Sequence, residues 1–95
     1  MVSLPAVEGY AAEVWSGADH AVVTRPDPRK GEQLVLFTTA SDASPKLLQE
    51  WARGAGIPEL MVPRDIRPVD ALPVLGTGKI DYVTLGRMAE GQAPS

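Results

Sequence analysis

The chain has 95 residues, 44% of them apolar and five of them aromatic, so it can form one small domain with a modest core. It contains no cysteine, which excludes a disulfide framework and a thiolate metal site. A net charge of −3 argues against a general nucleic-acid binder, and the longest apolar run, Leu34 to Phe37, is far too short to cross a bilayer.

The first segment has the pattern of a capped helix. Ser3 can act as the N-cap, and Pro5 falls in the first turn, where its missing N–H costs nothing. The following apolar residues recur at helical spacing and should face the core: Val7, Tyr10, Ala11, Val14 and Trp15. Ser16-Gly17 should end this helix.

A β-hairpin is predicted next. His20–Thr24 is short, apolar and β-branched, and Gln33–Thr39 has the same character, so both should be strands. Between them, Arg25–Glu32 contains two prolines and a glycine, which predicts a turn without regular structure.

The second half of the chain should contain a helix, a strand and a last helix. Ser44-Pro45 should start a helix that ends at Gly54 and Gly56 and buries one face: Leu47, Leu48, Trp51, Ala52 and Ala55. After a proline-bounded connector, Ile66–Val69 should be a third strand, which Pro68 restricts to a sheet edge.

Tyr82–Glu90 should form a last helix anchored by Val83, Leu85 and Met88, and residues 91–95 should be a disordered tail. The order α-β-β-α-β-α predicts an α+β fold: a small, mainly antiparallel three-stranded sheet with helices packed on it.

The stretch LPVLGTGKID, residues 72–81, holds the most distinctive candidate, Lys79 behind two glycines. A phosphate-binding P-loop is excluded, because Pro73 stands where its first glycine should be and Ile80 replaces the Ser or Thr that binds magnesium. Two interpretations stay open: a surface turn with a solvated lysine and a local ion pair to Asp81, or a loop that carries Lys79 to chemistry.

Other polar residues admit simpler explanations. His20 has no companion for a triad or a metal site, so a structural role is expected and no metal site is predicted. The basic residues of the turn and of the third strand are either solvated or face an acidic partner: Arg25, Arg29, Lys30, Arg64 and Arg67.

The order of these segments resembles a known family. The helix start MVSLPAVE, the hairpin HAVVTRPDPRKGEQLVLF and the loop LPVLGTGKIDYVTL look like the C-terminal domain of adenylate-forming enzymes, with Pro73, Gly78, Lys79 and Leu85 matching the family's lysine motif. Within that superfamily, three segments are most similar to the bifunctional 2-acylglycerophosphoethanolamine acyltransferase/acyl-[acyl carrier protein] synthetase subgroup: GEQLVLFTT, GIPELMVPRDIR and LPVLGTGKIDYVTL. Most relatives carry a basic residue where this chain has Tyr82.

The resemblance implies that residues 1–90 are the mobile C-terminal domain, and that the nucleotide-binding N-terminal domain and the hinge are absent. It implies that Lys79, supported by Gly76, Thr77 and Gly78, serves the ATP- and Mg²⁺-dependent adenylation of a fatty acid. The domain would then rotate to admit the thiol of acyl carrier protein, and the parent protein would reacylate a lysophospholipid.

By this resemblance the isolated fragment is soluble and inactive, and the full-length protein works with its own N-terminal domain at the cytoplasmic face of a bacterial inner membrane. Two alternatives stay open. One is the C-terminal domain of an acyl-CoA or aryl-CoA ligase, and the other is a non-catalytic module that binds a carrier protein.

Overall fold

The computed structural model describes residues 3–27 and 31–91, which form three helices and a three-stranded sheet. The elements in chain order are α1 (Leu4–Val14), β1 (His20–Asp27), β2 (Gly31–Thr38), α2 (Pro45–Ala55), a short 3₁₀ turn (Glu59–Met61), β3 (Asp65–Pro68) and α3 (Tyr82–Gly91). The predicted fold class and element order are confirmed. Residues 92–95 of the predicted tail lie outside the described residues.

The helix starts follow the predicted capping pattern. The Ser3 hydroxyl accepts a hydrogen bond from the Ala6 N–H, and the Ser44 hydroxyl accepts one from the Leu47 N–H, each with a proline in the first turn. At the far end of α2, Gly56 takes a φ of 77°, a conformation that glycine adopts without steric cost.

The sheet order is β1-β2-β3. β1 and β2 pair antiparallel from His20–Thr38 to Asp27–Gly31, whereas β2 and β3 pair parallel, because the chain returns through α2 before it enters β3. The sheet is therefore mixed. β3 lies at an edge, as the proline predicted, and its last residue is Pro68.

The predicted turn over Arg25–Glu32 is too long, because the hairpin strands extend to Asp27 and resume at Gly31. The backbone N–H of Val22 points out of the sheet, toward the side chain of Glu8. Backbone direction alternates along a strand, so Pro26 also faces outward, where no N–H is needed. This position explains why a proline is compatible with β1.

Two apolar clusters cover the two faces of the sheet. One lies under α1 and α2 and includes Val22 and Leu36 from the strands, and the other lies under α3 and includes Val35, Phe37 and Leu85. Alternate strand residues thus face opposite layers, as the pleat of a β-strand requires. The helices cover both faces of the sheet and leave its edges and loops for function.

Most of the predicted core is correct, including Val7, Ala11, Trp15, Leu48 and Leu85. Three predicted core residues are wrong: Leu47, Ala55 and Val83 are exposed. Each lies in the first or last turn of its helix.

Candidate functional site

The segment between β3 and α3 is a compact hairpin. An antiparallel bridge joins Val74 to Ile80, the Leu75 N–H donates to the Lys79 carbonyl (2.7 Å), and the Gly78 N–H donates to the Leu75 carbonyl (2.8 Å). Gly78 has a φ of 90°, in the region that favours glycine. We call residues 72–81 the lysine loop. Its backbone bonds give it a defined shape.

Lys79 is exposed near the tip of the lysine loop, beside the equally exposed Gly76, Thr77 and Gly78. Within residues 3–27 and 31–91, its side chain makes no hydrogen bond or ion pair. The base of the loop is held by Leu72 and Ile80, which are partly buried against the α3 side of the sheet. A primary ammonium group is therefore presented to solvent on an anchored support.

Asp81 caps α3, and the local ion pair with Lys79 is not formed. Its carboxylate accepts hydrogen bonds from the Thr84 hydroxyl (2.7 Å) and the Thr84 N–H (3.0 Å), and its own N–H donates to the Pro73 carbonyl (2.9 Å). The hydrogen bonds from Thr84 lower the pKa of Asp81 below its ordinary value of 3.8. Asp81 thus closes the loop and starts the helix that follows.

Four large apolar side chains of the lysine loop and of the first turn of α3 are exposed: Val74 (60%), Leu75 (47%), Tyr82 (44%) and Val83 (68%). All four lie within five positions of Lys79 in the sequence. Several exposed apolar side chains on one segment suit contact with another protein surface.

Sequence reasoning missed a contact between Tyr82 and Glu8. The Tyr82 hydroxyl donates to Glu8 Oε2 at 2.8 Å, and the same oxygen accepts the Val22 N–H at 2.9 Å. Partial burial of the phenol, together with the carboxylate beside it, raises the pKa of Tyr82 to about 12. The one signal in the sequence was Tyr82 itself, at a position where the family resemblance leads one to expect a basic residue.

The three described candidate carrier contacts differ in accessibility. Arg67 and Arg25 both approach the Asp65 carboxylate, at 3.0 and 3.5 Å, and Arg25 also donates twice to the Gln33 amide oxygen. Arg64 is exposed and lies 3.9 Å from Glu59, whereas Arg29 and Lys30 lie outside the described residues. Arg25 and Arg67 are therefore engaged within the domain, and Arg64 is the most accessible of the three described candidates.

His20 has the structural role that was expected. Its Nε2 lies 2.9 Å from the Trp15 carbonyl, which can only accept, so Nε2 carries a proton. Its Nδ1 lies 2.9 Å from the buried hydroxyl of Thr38, which also accepts the Ala40 N–H. The imidazole thereby connects α1 to the end of β2.

Neither a metal-binding cluster nor a membrane-spanning helix is found in the described residues. No group of three or more acidic or histidine side chains there could hold a metal ion, so these residues do not fit a Mg²⁺ site. No described helix has the length and apolar character needed to cross a bilayer.

Residues 6–79 match the model of the AMP-binding enzyme C-terminal domain, and the match ends at Lys79 itself. The chain belongs to this family. The superfamily resemblance seen in the sequence is thus confirmed, whereas the bifunctional subgroup stays a prediction.

Similarity to individual known proteins supports this family assignment. The chain is similar to acetyl-coenzyme A synthetase of Burkholderia mallei, with 36% identity over 85 residues, which is 80% of this chain and 13% of that protein. It is also similar to the amide bond synthetase McbA of Marinactinospora thermotolerans, with 31% identity, a TM-score of 0.75, and coverage of 88% of this chain and 17% of that one.

A Mycobacterium tuberculosis fatty acyl CoA synthetase shares the fold over 98% of this chain and 19% of its own, with a TM-score of 0.83 and 24% identity. The chain spans about an eighth of the length of the acetyl-coenzyme A synthetases that it matches.

Proposed function

We propose that this chain is the lysine-bearing domain of an AMP-forming carboxylate ligase, and that Lys79 acts in the formation of the acyl-adenylate. The observation that carries the proposal is the exposed ammonium group on an anchored, glycine-containing loop, at the end of the family match. The rest of the active site, including the groups that bind ATP and Mg²⁺, would come from the remainder of the parent enzyme.

The chemistry suits a lysine. When a carboxylate attacks the α-phosphate of ATP, negative charge is shared between the nucleophile and the phosphoryl oxygens, and a compact cation can stabilise it. The exposed apolar side chains of this segment, such as Val74 and Val83, would exclude water when the loop enters the cleft and would thereby strengthen this interaction. Rotation of the domain would then withdraw the lysine and admit the thiol.

The test is Lys79→Ala in the parent enzyme, assayed in both half-reactions. Loss of one preorganised donor should lower the rate of acyl-adenylate formation by about 10²–10³-fold. The transfer of the acyl group from supplied acyl-adenylate to the thiol should be unchanged. Lys46→Ala, which removes an exposed lysine on α2, is the matched control and should leave both steps intact. Equal losses in the two half-reactions would contradict the assignment.

The acceptor thiol divides the proposal into two candidates. Coenzyme A is favoured by the similarity to acetyl-coenzyme A synthetase and to a fatty acyl CoA synthetase. An acyl-[acyl carrier protein] synthetase that also reacylates 2-acylglycerophosphoethanolamine is the second candidate, supported by the resemblance of three segments and by Tyr82 in place of a basic residue. Comparing kcat/KM for coenzyme A and for carrier protein in the parent enzyme distinguishes them.

A further inference from the structure

The lysine loop is connected to the opposite side of the domain through one carboxylate oxygen. Tyr82, the first residue of α3, lies three positions after Lys79, and its hydroxyl contacts Glu8 Oε2 across 74 positions of sequence. Glu8 belongs to α1, and the same oxygen accepts the N–H of Val22 in β1. One atom therefore joins α1, β1 and the start of α3.

The hydrogen bonds inside the loop determine its shape but not its orientation. They join Leu75 to Lys79, Gly78 to Leu75, and Asp81 to Pro73, so both partners of each bond move together when the loop tilts. Orientation depends on the groups that attach the loop to the body of the domain. These are the apolar residues at its base and the first turn of α3.

The Tyr82 hydroxyl is not required to hold α3 on the sheet. Leu85 and Ala89, both fully buried, anchor the middle and the end of the helix, whereas the side chain of Tyr82 remains 44% exposed. The contact therefore acts at the junction where the loop becomes a helix, close to Lys79. A hydrogen bond to a carboxylate is short and directional, which suits it to restrict this junction.

We propose that Tyr82 and Glu8 form a positioning pair that fixes the direction in which the lysine loop presents Lys79. The inference rests on the proposed role of Lys79 in adenylation. Because a displacement of about 1 Å in a reacting group can cost about 100-fold in rate, a loop that tilts freely would lower the turnover without weakening substrate binding.

The test is Tyr82→Phe in the parent enzyme, which removes the hydroxyl and keeps the ring. The kcat of acyl-adenylate formation should fall by about tenfold or more, within the range expected for a misplaced catalytic group. The KM values for the carboxylate and ATP, and transfer from supplied adenylate, should be unchanged. Tyr10→Phe is the matched control, because the Tyr10 ring packs against Trp51 and its hydroxyl has no partner among the described residues.

Substitutions of Glu8 separate positioning from packing. Glu8→Ala, which also removes the acceptor of the Val22 N–H, should lose at least as much rate as Tyr82→Phe. The double variant should be no worse than Glu8→Ala alone, since the hydrogen bond of Tyr82 is already absent there. Glu8→Gln should restore part of the rate, because its amide oxygen can still accept both hydrogen bonds.

A second readout does not depend on activity. In the 95-residue chain, ¹⁵N relaxation should show larger amplitudes for the amides of Gly76 and Gly78 in Tyr82→Phe than in the wild type. The amides of Val35 and Phe37 in the sheet should not change. Increased motion of the whole chain, or unchanged loop amides, would contradict a positioning role.

The outcomes for the two proposals are distinguishable. If Lys79→Ala abolishes adenylation while Tyr82→Phe retains the wild-type kcat, the positioning pair is wrong and the proposed function stands. If Lys79→Ala is fully active, the proposed function fails and the positioning role fails with it. A fall in kcat that Glu8→Ala does not reproduce would also overturn the pair.

Discussion

Arg67 stabilises the domain by joining β3 to the end of α3. Its guanidinium donates to both oxygens of Asp65, at 3.1 and 3.0 Å, and to the carbonyls of Met88 (3.1 Å) and Ala89 (3.5 Å). It also lies 5.8 Å from the centre of the Phe37 ring. The two carbonyls belong to the last turn of α3, where a cation also interacts favourably with the helix dipole.

Replacing Arg67 with Met keeps the apolar stem against the sheet and removes every hydrogen bond of the guanidinium. Hydrogen bonds to charged groups contribute about 1.5–3 kcal/mol each when they are well shielded. The Arg67 side chain is 20% exposed, so water can replace part of the lost hydrogen bonding. The Asp65 carboxylate would still have Arg25 at 3.5 Å, so it is not left without a positive partner. We expect a loss of about 2–3 kcal/mol in the free energy of unfolding.

Urea denaturation followed by far-UV circular dichroism measures this loss. With a slope of about 1 kcal/mol/M for a chain of this size, the midpoint should fall by about 2–3 M. The urea midpoint of Arg67→Lys should lie between those of Arg67→Met and the wild type, because lysine keeps the positive charge but lacks the planar guanidinium group that donates several hydrogen bonds at once. Arg64→Met is the control: Arg64 is 57% exposed and 3.9 Å from Glu59, so a change within about 0.5 kcal/mol is expected. Equal midpoints for Arg67→Met and wild type would refute the reasoning.

Two further predictions concern the lysine loop. Gly78→Ala should cost about 1–2 kcal/mol of unfolding free energy, measured in urea, because φ is 90° there. Gly76→Ala, where φ is not positive, should change stability by less than about 0.5 kcal/mol, and equal losses would contradict the backbone argument. Because its pKa is lowered, Asp81 contributes stability that is complete above pH 3.8 and is lost as the pH falls through the folded-state value. Asp81→Asn keeps a residue that can cap the helix but does not titrate in this range. Its unfolding free energy should therefore fall less than that of the wild type between pH 6 and pH 3. Equal decreases in the unfolding free energy of the two proteins would contradict this contribution of Asp81.

Sequence signals that act over a few residues predicted the helices and strands well. Serine caps followed by prolines located the starts of α1 and α2, and Pro68 correctly placed β3 at an edge. These residues act through their own backbone or through neighbours within four positions, so the sequence alone determines their effect.

Contacts between distant segments could not be predicted in the same way. The prolines of the hairpin were interpreted as a break, because the outward direction of Pro26 depends on which side of β1 pairs with β2. Arg67 appeared as a free basic residue because its partners Met88 and Ala89 lie more than twenty positions away. For the candidate site, Lys79 was identified by its motif, whereas the link from Tyr82 to Glu8 depends on how α1 and the start of α3, on opposite faces of the sheet, meet next to β1.

The outer edge of β1 also determines how the molecule can associate. Of the outward-facing residues Val22, Thr24 and Pro26, the first has its N–H bonded to Glu8 and the last has none. A strand that extended the sheet there would find the Thr24 N–H as the one free donor among these three residues. Regular strand addition is therefore disfavoured along this side, which reduces the tendency to grow into β-aggregates at that edge.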